Sequence, residues 1–145
     1  MILHMGVRTT DPIWVAYTRL DGGEDDAEAL SRLLATLIRG GATPSDPSMI
    51  LFHDPPETPG CRRELLIPIA AEVEGVETRV LPSMRVAFLV STDAETEAHY
   101  GRLRRYMEER GLEAASGIHS IEAHYAPSDP DEDDWTTELM IPLSG

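Results

Sequence analysis

The chain has 145 residues, 26 of them acidic and 12 basic, giving a formal charge of −14. That balance argues against binding a phosphate backbone, which needs a lysine and arginine surplus, and suits a cationic ligand or a basic partner. One cysteine, Cys61, excludes an internal disulfide, and no apolar run approaches the ~18 residues of a membrane span.

A 41% apolar share at this length fits one domain with a real core, taken as residues 1–145. The opening Met1-Ile2-Leu3-His4-Met5 is too short and uncharged for a secretory signal, so the expectation is a cytoplasmic protein.

In chain order, residues 7–10 and 13–18 read as short strands broken at Asp11-Pro12, because proline ends ladder pairing and an Asp-Pro step favours a turn. A helix begins after Gly22-Gly23, with Asp25 as its N-cap and Glu28 three residues on. Leu30, Leu33, Leu34, Leu37 and Ile38 give it one apolar face, and Gly40-Gly41 stops it. Strands follow at 49–53 and 63–69 around a turn-rich loop. Further strands are expected at 76–81 and 84–90. A second helix then opens on a Thr92/Glu95 capping box and closes at Gly111. Strands at 119–125 and 136–141 flank the run Asp129-Pro130-Asp131-Glu132-Asp133-Asp134, which reads as a solvated loop able to draw in cations.

The order is therefore strand, strand, helix, strand, strand, twice over. Glu64-Leu65-Leu66-Ile67-Pro68-Ile69 returns 74 positions later as Glu138-Leu139-Met140-Ile141-Pro142-Leu143. Val15-Ala16-Tyr17 matches Val86-Ala87-Phe88, and His53 matches His124, both at an offset of 71. Leu30, Leu33 and Leu37 match Tyr100, Leu103 and Met107 at 70. Such agreement in one order implies an internal duplication, with half-repeats at about 6–70 and 76–143. Short loops favour pairing between neighbouring strands. Two helices can cover only one face of eight strands, which leaves the other solvated, curved into a groove or covered by a partner. The expected fold class is α+β: duplicated strand-helix-strand-strand modules forming a curved antiparallel sheet, with two helices on one face and a central ligand groove.

Strand alternation puts Leu139 and Ile141 on the face suited to a helix, and Glu138 and Met140 on the open face. Glu64 and Leu66 repeat this in the first half. A partly desolvated carboxylate there can hold a cation or accept a proton. Tyr125 and Trp135 offer stacking surface for a flat ligand with Glu138 as counter-charge, and Met140, Phe88, Trp14 and His53 complete the candidate ligand contacts. Trp135 stands three residues before Glu138, whereas Cys61 holds that place before Glu64. Glu138 is accordingly assigned the functional role and Glu64 a structural one. Cys61, in a Pro/Gly-rich loop, reads as a free surface or loop thiol. None of His4, His53, His99, His119 and His124 stands at a recognised metal spacing, and no phosphate loop or nucleophile triad is present, so no metal or cofactor is expected.

The closing Asp134-Trp135-Thr136-Thr137-Glu138-Leu139-Met140-Ile141-Pro142-Leu143, preceded by Ile121-Glu122-Ala123-His124-Tyr125, resembles the GyrI-like small-molecule-binding domain, also found as the effector-binding part of AraC-type and MerR-type multidrug-responsive regulators. The resemblance runs from about residue 7 to 143. It implies two modules about a pseudo-twofold, a groove between them for hydrophobic, often cationic or aromatic molecules, and Glu138 as the buried acid. No DNA-binding helix pair precedes the first strand, so a stand-alone form is expected. Ser91-Thr92-Asp93 replaces the family's usual glycine-proline turn. The function expected is binding of such a molecule, for sensing, sequestration or resistance, without direct nucleic-acid or membrane binding, and with a homodimer or a separate regulator as possible assembly. One alternative is hydrolysis of strained cyclopropane-containing genotoxic natural products, with Glu138 catalytic, as some GyrI-like proteins perform. Another is a protein-interaction module acting on a basic partner such as gyrase.

Overall fold

The structure is a computed structural model and describes residues 1–93, 95–127 and 135–144. Its elements are β1 (Ile2–Thr9), β2 (Ile13–Leu20), α1 (Asp26–Arg39), β3 (Ser48–Phe52), β4 (Arg63–Pro68), β5 (Glu77–Leu81), β6 (Arg85–Ser91), α2 (Thr96–Glu109), β7 (Ser120–Tyr125) and β8 (Thr136–Pro142). The strands form one antiparallel sheet in the order β1-β6-β8-β7-β3-β4-β2-β5. The acidic run 129–134, expected as a solvated loop, lies outside the described residues. Among the described residues no helix is long and apolar enough to cross a membrane.

The α+β class and the strand order along the chain are as expected, but the pairing differs. β1 does not pair with β2, nor β5 with β6. β1 pairs with β6, and β5 with β2, so the two modules exchange their edge strands. Each exchange passes through only three residues, 10–12 and 82–84. In a flat sheet β1 and β2 would stand six strand positions apart, about 29 Å at the usual spacing. Four Cα steps span at most about 15 Å. The sheet must curl to bring its ends together, and the two links then hold each other. Thr10 N–H donates to the Met84 carbonyl (2.7 Å), Met84 N–H to Thr10 Oγ1 (2.9 Å), and Ser83 Oγ to the Thr10 carbonyl (2.6 Å).

Both helices pack on the convex face. α1 buries Leu33 and Leu37 against Ala16, Ile67 and Ile69. α2 buries Leu103 and Met107 against Ala87, Leu89, Leu139 and Ile141. Asp25 caps α1, accepting from Ala27 and Glu28 N–H, and Gly41 takes φ +85° just past its end. Ile38, counted in the apolar stripe, is exposed. The second capping box does not form, and α2 starts at Thr96. Thr92 N–H is spent on the Met1 carbonyl beside the β1–β6 ladder, and the Asp93 carboxylate binds His99 and Glu95 N–H.

Cys61 is buried rather than on the surface, its Sγ 3.4 Å from the Asp54 carbonyl, and burial pushes its thiol pKa up. Beside it, buried Arg63 ties the start of β4 to the approach of α1. Its Nε donates to Asp26 Oδ1 (2.7 Å), Nη1 to the Gly22 and Cys61 carbonyls (3.1 and 2.9 Å) and Nη2 to the Glu24 carbonyl (2.8 Å). Arg63→Met strands these acceptors and is expected to lower stability by about 2–4 kcal/mol, read as a fall in the urea midpoint at unchanged slope.

Candidate functional site on the concave face

The registers turn the sheet's concave face into cross-strand rows. One row runs Tyr17, Leu66, Met49, Ala123, Glu138, Val90. The next runs Phe88, Met140, Ile121, Leu51, Glu64, Arg19 in the opposite sense. The rows match position for position when the halves are exchanged: Tyr17 with Phe88, Leu66 with Met140, Glu138 with Glu64, and Val90 with Arg19. The same registers, with Glu64 set on Glu138, place His53 opposite Tyr125 rather than His124. His124 sits on the convex face, in one row with Ser48 and Thr137.

Between the glutamates the face is apolar. Val15, Met49, Leu51, Leu66, Val86, Phe88, Ile121, Ala123 and Met140 form one buried cluster drawn from both halves. The curvature packs these side chains on one another, so the expected groove has an apolar floor occupied by the protein's own residues. A hollow of about 740 Å³ edged by Pro55, Tyr100, Arg104, His119 and Glu122 opens on the helix side.

Glu138 is 5% exposed and Glu64 3%. A buried carboxylate keeps its charge only with donors around it, and each has an arginine from an edge strand. Arg8 of β1 reaches across the Phe88 ring (5.5 Å to the centroid) and places Nη2 2.8 and 2.7 Å from the two Glu138 oxygens. Arg79 of β5 reaches across the Tyr17 ring (5.2 Å) and places Nη2 3.0 Å from both Glu64 oxygens, its Nε left without a partner. Gly6, opposite Phe88, leaves room for this stack: a Cβ there would meet the ring at 3.3 Å.

The two sites differ in what else surrounds the acid. Glu64 also meets His53 Nε2 (2.7 Å) and Arg19 Nε (3.9 Å). The other His53 ring nitrogen faces the Gly117 carbonyl at 3.1 Å. At the second site Val90 replaces Arg19 and Tyr125 replaces His53. The Tyr125 hydroxyl lies 3.5 Å from Glu138 Oε1. Burial, then the Glu138 charge, raises the Tyr125 pKa, so the phenol stays protonated at neutral pH. Glu138 thus has a single basic partner among the described residues, and that partner's side chain is 42% exposed.

Of the sequence-derived candidates, Glu138, Met140, Phe88 and Tyr125 come together, and His53 belongs to the Glu64 site. The two tryptophans do not join them. Trp14 shares the convex face with Ala16 and stands exposed at the β2–β5 edge, opposite Val80. Trp135 precedes β8 and is 53% exposed. Arg8, Arg79 and Tyr17 were not singled out from the sequence. The available signal was the spacing of Arg8 and Arg79, 71 apart like Val15 and Val86, but reversed in order because the edge strands are exchanged.

Neither a family model nor a curated protein matches the chain. Solved structures do. The C-terminal domain of EcmrR superposes with TM-score 0.79 at 13% identity, over 97% of both chains. The chain spans 57% of EcmrR in its DNA complex. SAV2435 bound to tetraphenylphosphonium gives TM-score 0.59 at 9% identity, over 99% of this chain and 95% of that one. A hydrolase encoded by lin2189 from Listeria innocua gives 0.65 at 12%, over 97% and 91%. At such identities the likeness shows the fold alone, one shared with the C-terminal domain of EcmrR and with SAV2435.

The unequal surroundings predict unequal losses. Glu64→Gln, which strips a charge from two arginines and a histidine, is expected to cost about 2–4 kcal/mol, against about 1–2 for Glu138→Gln, compared by urea denaturation.

Proposed function

We propose that the chain is a small-molecule-binding domain that holds a hydrophobic, aromatic or cationic compound against the concave face, with Glu138 as counter-charge and Phe88, Met140 and Tyr125 as contacts. The observation that carries this reading is a buried carboxylate in an apolar face, balanced by one arginine that remains open to solvent. The fold supports it, since SAV2435 shares that fold and was solved with tetraphenylphosphonium. On this reading residues 6–70 and 76–143 are half-repeats of one domain, and only the second half keeps a lightly partnered acid. Sensing, sequestration and resistance are the roles such binding serves.

The test is calorimetric titration with tetraphenylphosphonium and with a planar cationic dye. Tryptophan emission is a poor reporter, because Trp14 faces the convex side and Trp135 is already exposed to water. Wild type is expected to bind, and Glu138→Gln to bind at least about tenfold more weakly, the loss of one charged contact. Equal affinity in the two proteins would remove Glu138 from the site.

A second reading, hydrolysis of a strained cyclopropane electrophile, is favoured by the carboxylate–phenol pair of Glu138 and Tyr125 and by the hydrolase that shares the fold. Glu138 would accept a proton from water as its oxygen bonds the ring carbon and the ring C–C bond breaks. Tyr125 would donate a proton to the departing carbonyl system. Mass spectrometry after incubation with such a compound is expected to show a product heavier by one water, formed in excess over protein and lost in Glu138→Gln. Unchanged compound, or a single stoichiometric adduct, counts against turnover.

A further inference from the structure

We infer that the Arg8 guanidinium is an intramolecular occupant of the cation site, and that the ligand which displaces it best is an aryl amidinium or guanidinium. This deepens the binding reading above and rests on it.

Arg8 makes the contacts that a planar organic cation would make there. Its guanidinium lies over the Phe88 ring, bonds Glu138, and has Nη2 3.8 Å from the Met140 sulfur. Yet its bond to Glu138 is a poor use of the group. One nitrogen is shared between both carboxylate oxygens, where a fork of two nitrogens can give two parallel bonds. An amidinium entering along the ring face offers that fork, and its aryl group takes the place of the Arg8 side chain over the Phe88 ring. Arg8 is also easily released. It stands on an edge strand with one neighbour, β6, and its side chain can turn to water without disturbing the ladder.

Glu138 is deeply buried, so the state in which no cation faces it is a costly minor one. In the free protein that cation is Arg8; in the complex it is the ligand. A neutral molecule of the same shape cannot make the exchange, which gives charge selectivity without a vacant anionic hole. The apparent affinity is then the intrinsic one reduced by the fraction of molecules in which Arg8 has swung away. The equivalent Glu64 site has no such exchange. Removing Arg79 leaves Glu64 with His53 and Arg19.

The experiment titrates benzamidinium chloride, with neutral benzamide as control, into wild type, Arg8→Gln, Arg8→Lys and Arg79→Gln by calorimetry at fixed ionic strength. Arg8→Gln is expected to bind benzamidinium about tenfold more tightly, or about 1.4 kcal/mol, with no gain for benzamide and none in Arg79→Gln. Should Arg8→Gln fail to fold, Arg8→Lys keeps the counter-charge, loses the planar stack, and is expected to gain about threefold by the same competition. Equal or weaker binding in the folded Arg8 variants, an equal gain for benzamide, or the same gain in Arg79→Gln would overturn the inference. If tetraphenylphosphonium binding depends on Glu138 while the Arg8 variants gain nothing, the inference falls alone. If tetraphenylphosphonium binds wild type and Glu138→Gln alike, the binding reading falls with it.

Discussion

Two links of three residues each connect strands that lie six positions apart in the sheet, and a chain that short cannot bridge the width of a flat sheet. The curl follows from this constraint. Thr10 and Met84 then lock the links to each other through reciprocal hydrogen bonds. The concave face is thereby brought in on itself, so residues such as Val15 and Val86 are fully buried with no helix above them. The helices are left to cover the convex face alone, and the convex-facing residues of β4 and β8 supply the apolar surface they need.

The same exchange of edge strands supplies the cations. Arg79 of the second half crosses Tyr17 to Glu64 of the first half, and Arg8 of the first half crosses Phe88 to Glu138, 130 residues away. Without Arg8 the curl would bury Glu138 as a bare carboxylate, at a cost of several kcal/mol, and without Arg79 Glu64 would keep only His53 and the more distant Arg19. Structure and function meet at this point. A carboxylate sunk in apolar surroundings and balanced by a replaceable cation is well suited to binding another cation, because the desolvation has already been met during folding. Glu64 is held more firmly: Arg19 and His53 bind it from further sides. In the second half Val90 and Tyr125 stand at those positions and leave Arg8 as Glu138's sole basic partner among the described residues.

Much of the site was legible from strand parity. The repeated Glu-Leu-x-Ile-Pro string put Glu138 and Met140 on one face and Leu139 and Ile141 on the other, and the burial clusters divide in that way. Trp14 was placed among the ligand contacts by its aromatic character, without parity. It alternates with Val15, which is buried on the concave side, so Trp14 must face away. The expected match of His53 with His124 was one position out, since side-chain identity suggested an offset of 71 where the ladders require Tyr125. That single step moves a residue to the other face of a strand.

The sequence by itself determined the elements, their order, the apolar stripes of the helices and the inward aim of the two glutamates. All of these follow from local periodicity and capping chemistry, which act over a few residues. Only the tertiary structure decided which strands pair, how far the sheet curls, and that Arg8 and Arg79 meet Glu138 and Glu64. Those contacts join residues far apart in the chain through edge strands that swap partners, and nothing in the local pattern of residues 2–9 or 77–81 distinguishes pairing with the adjacent strand from pairing with the distant one.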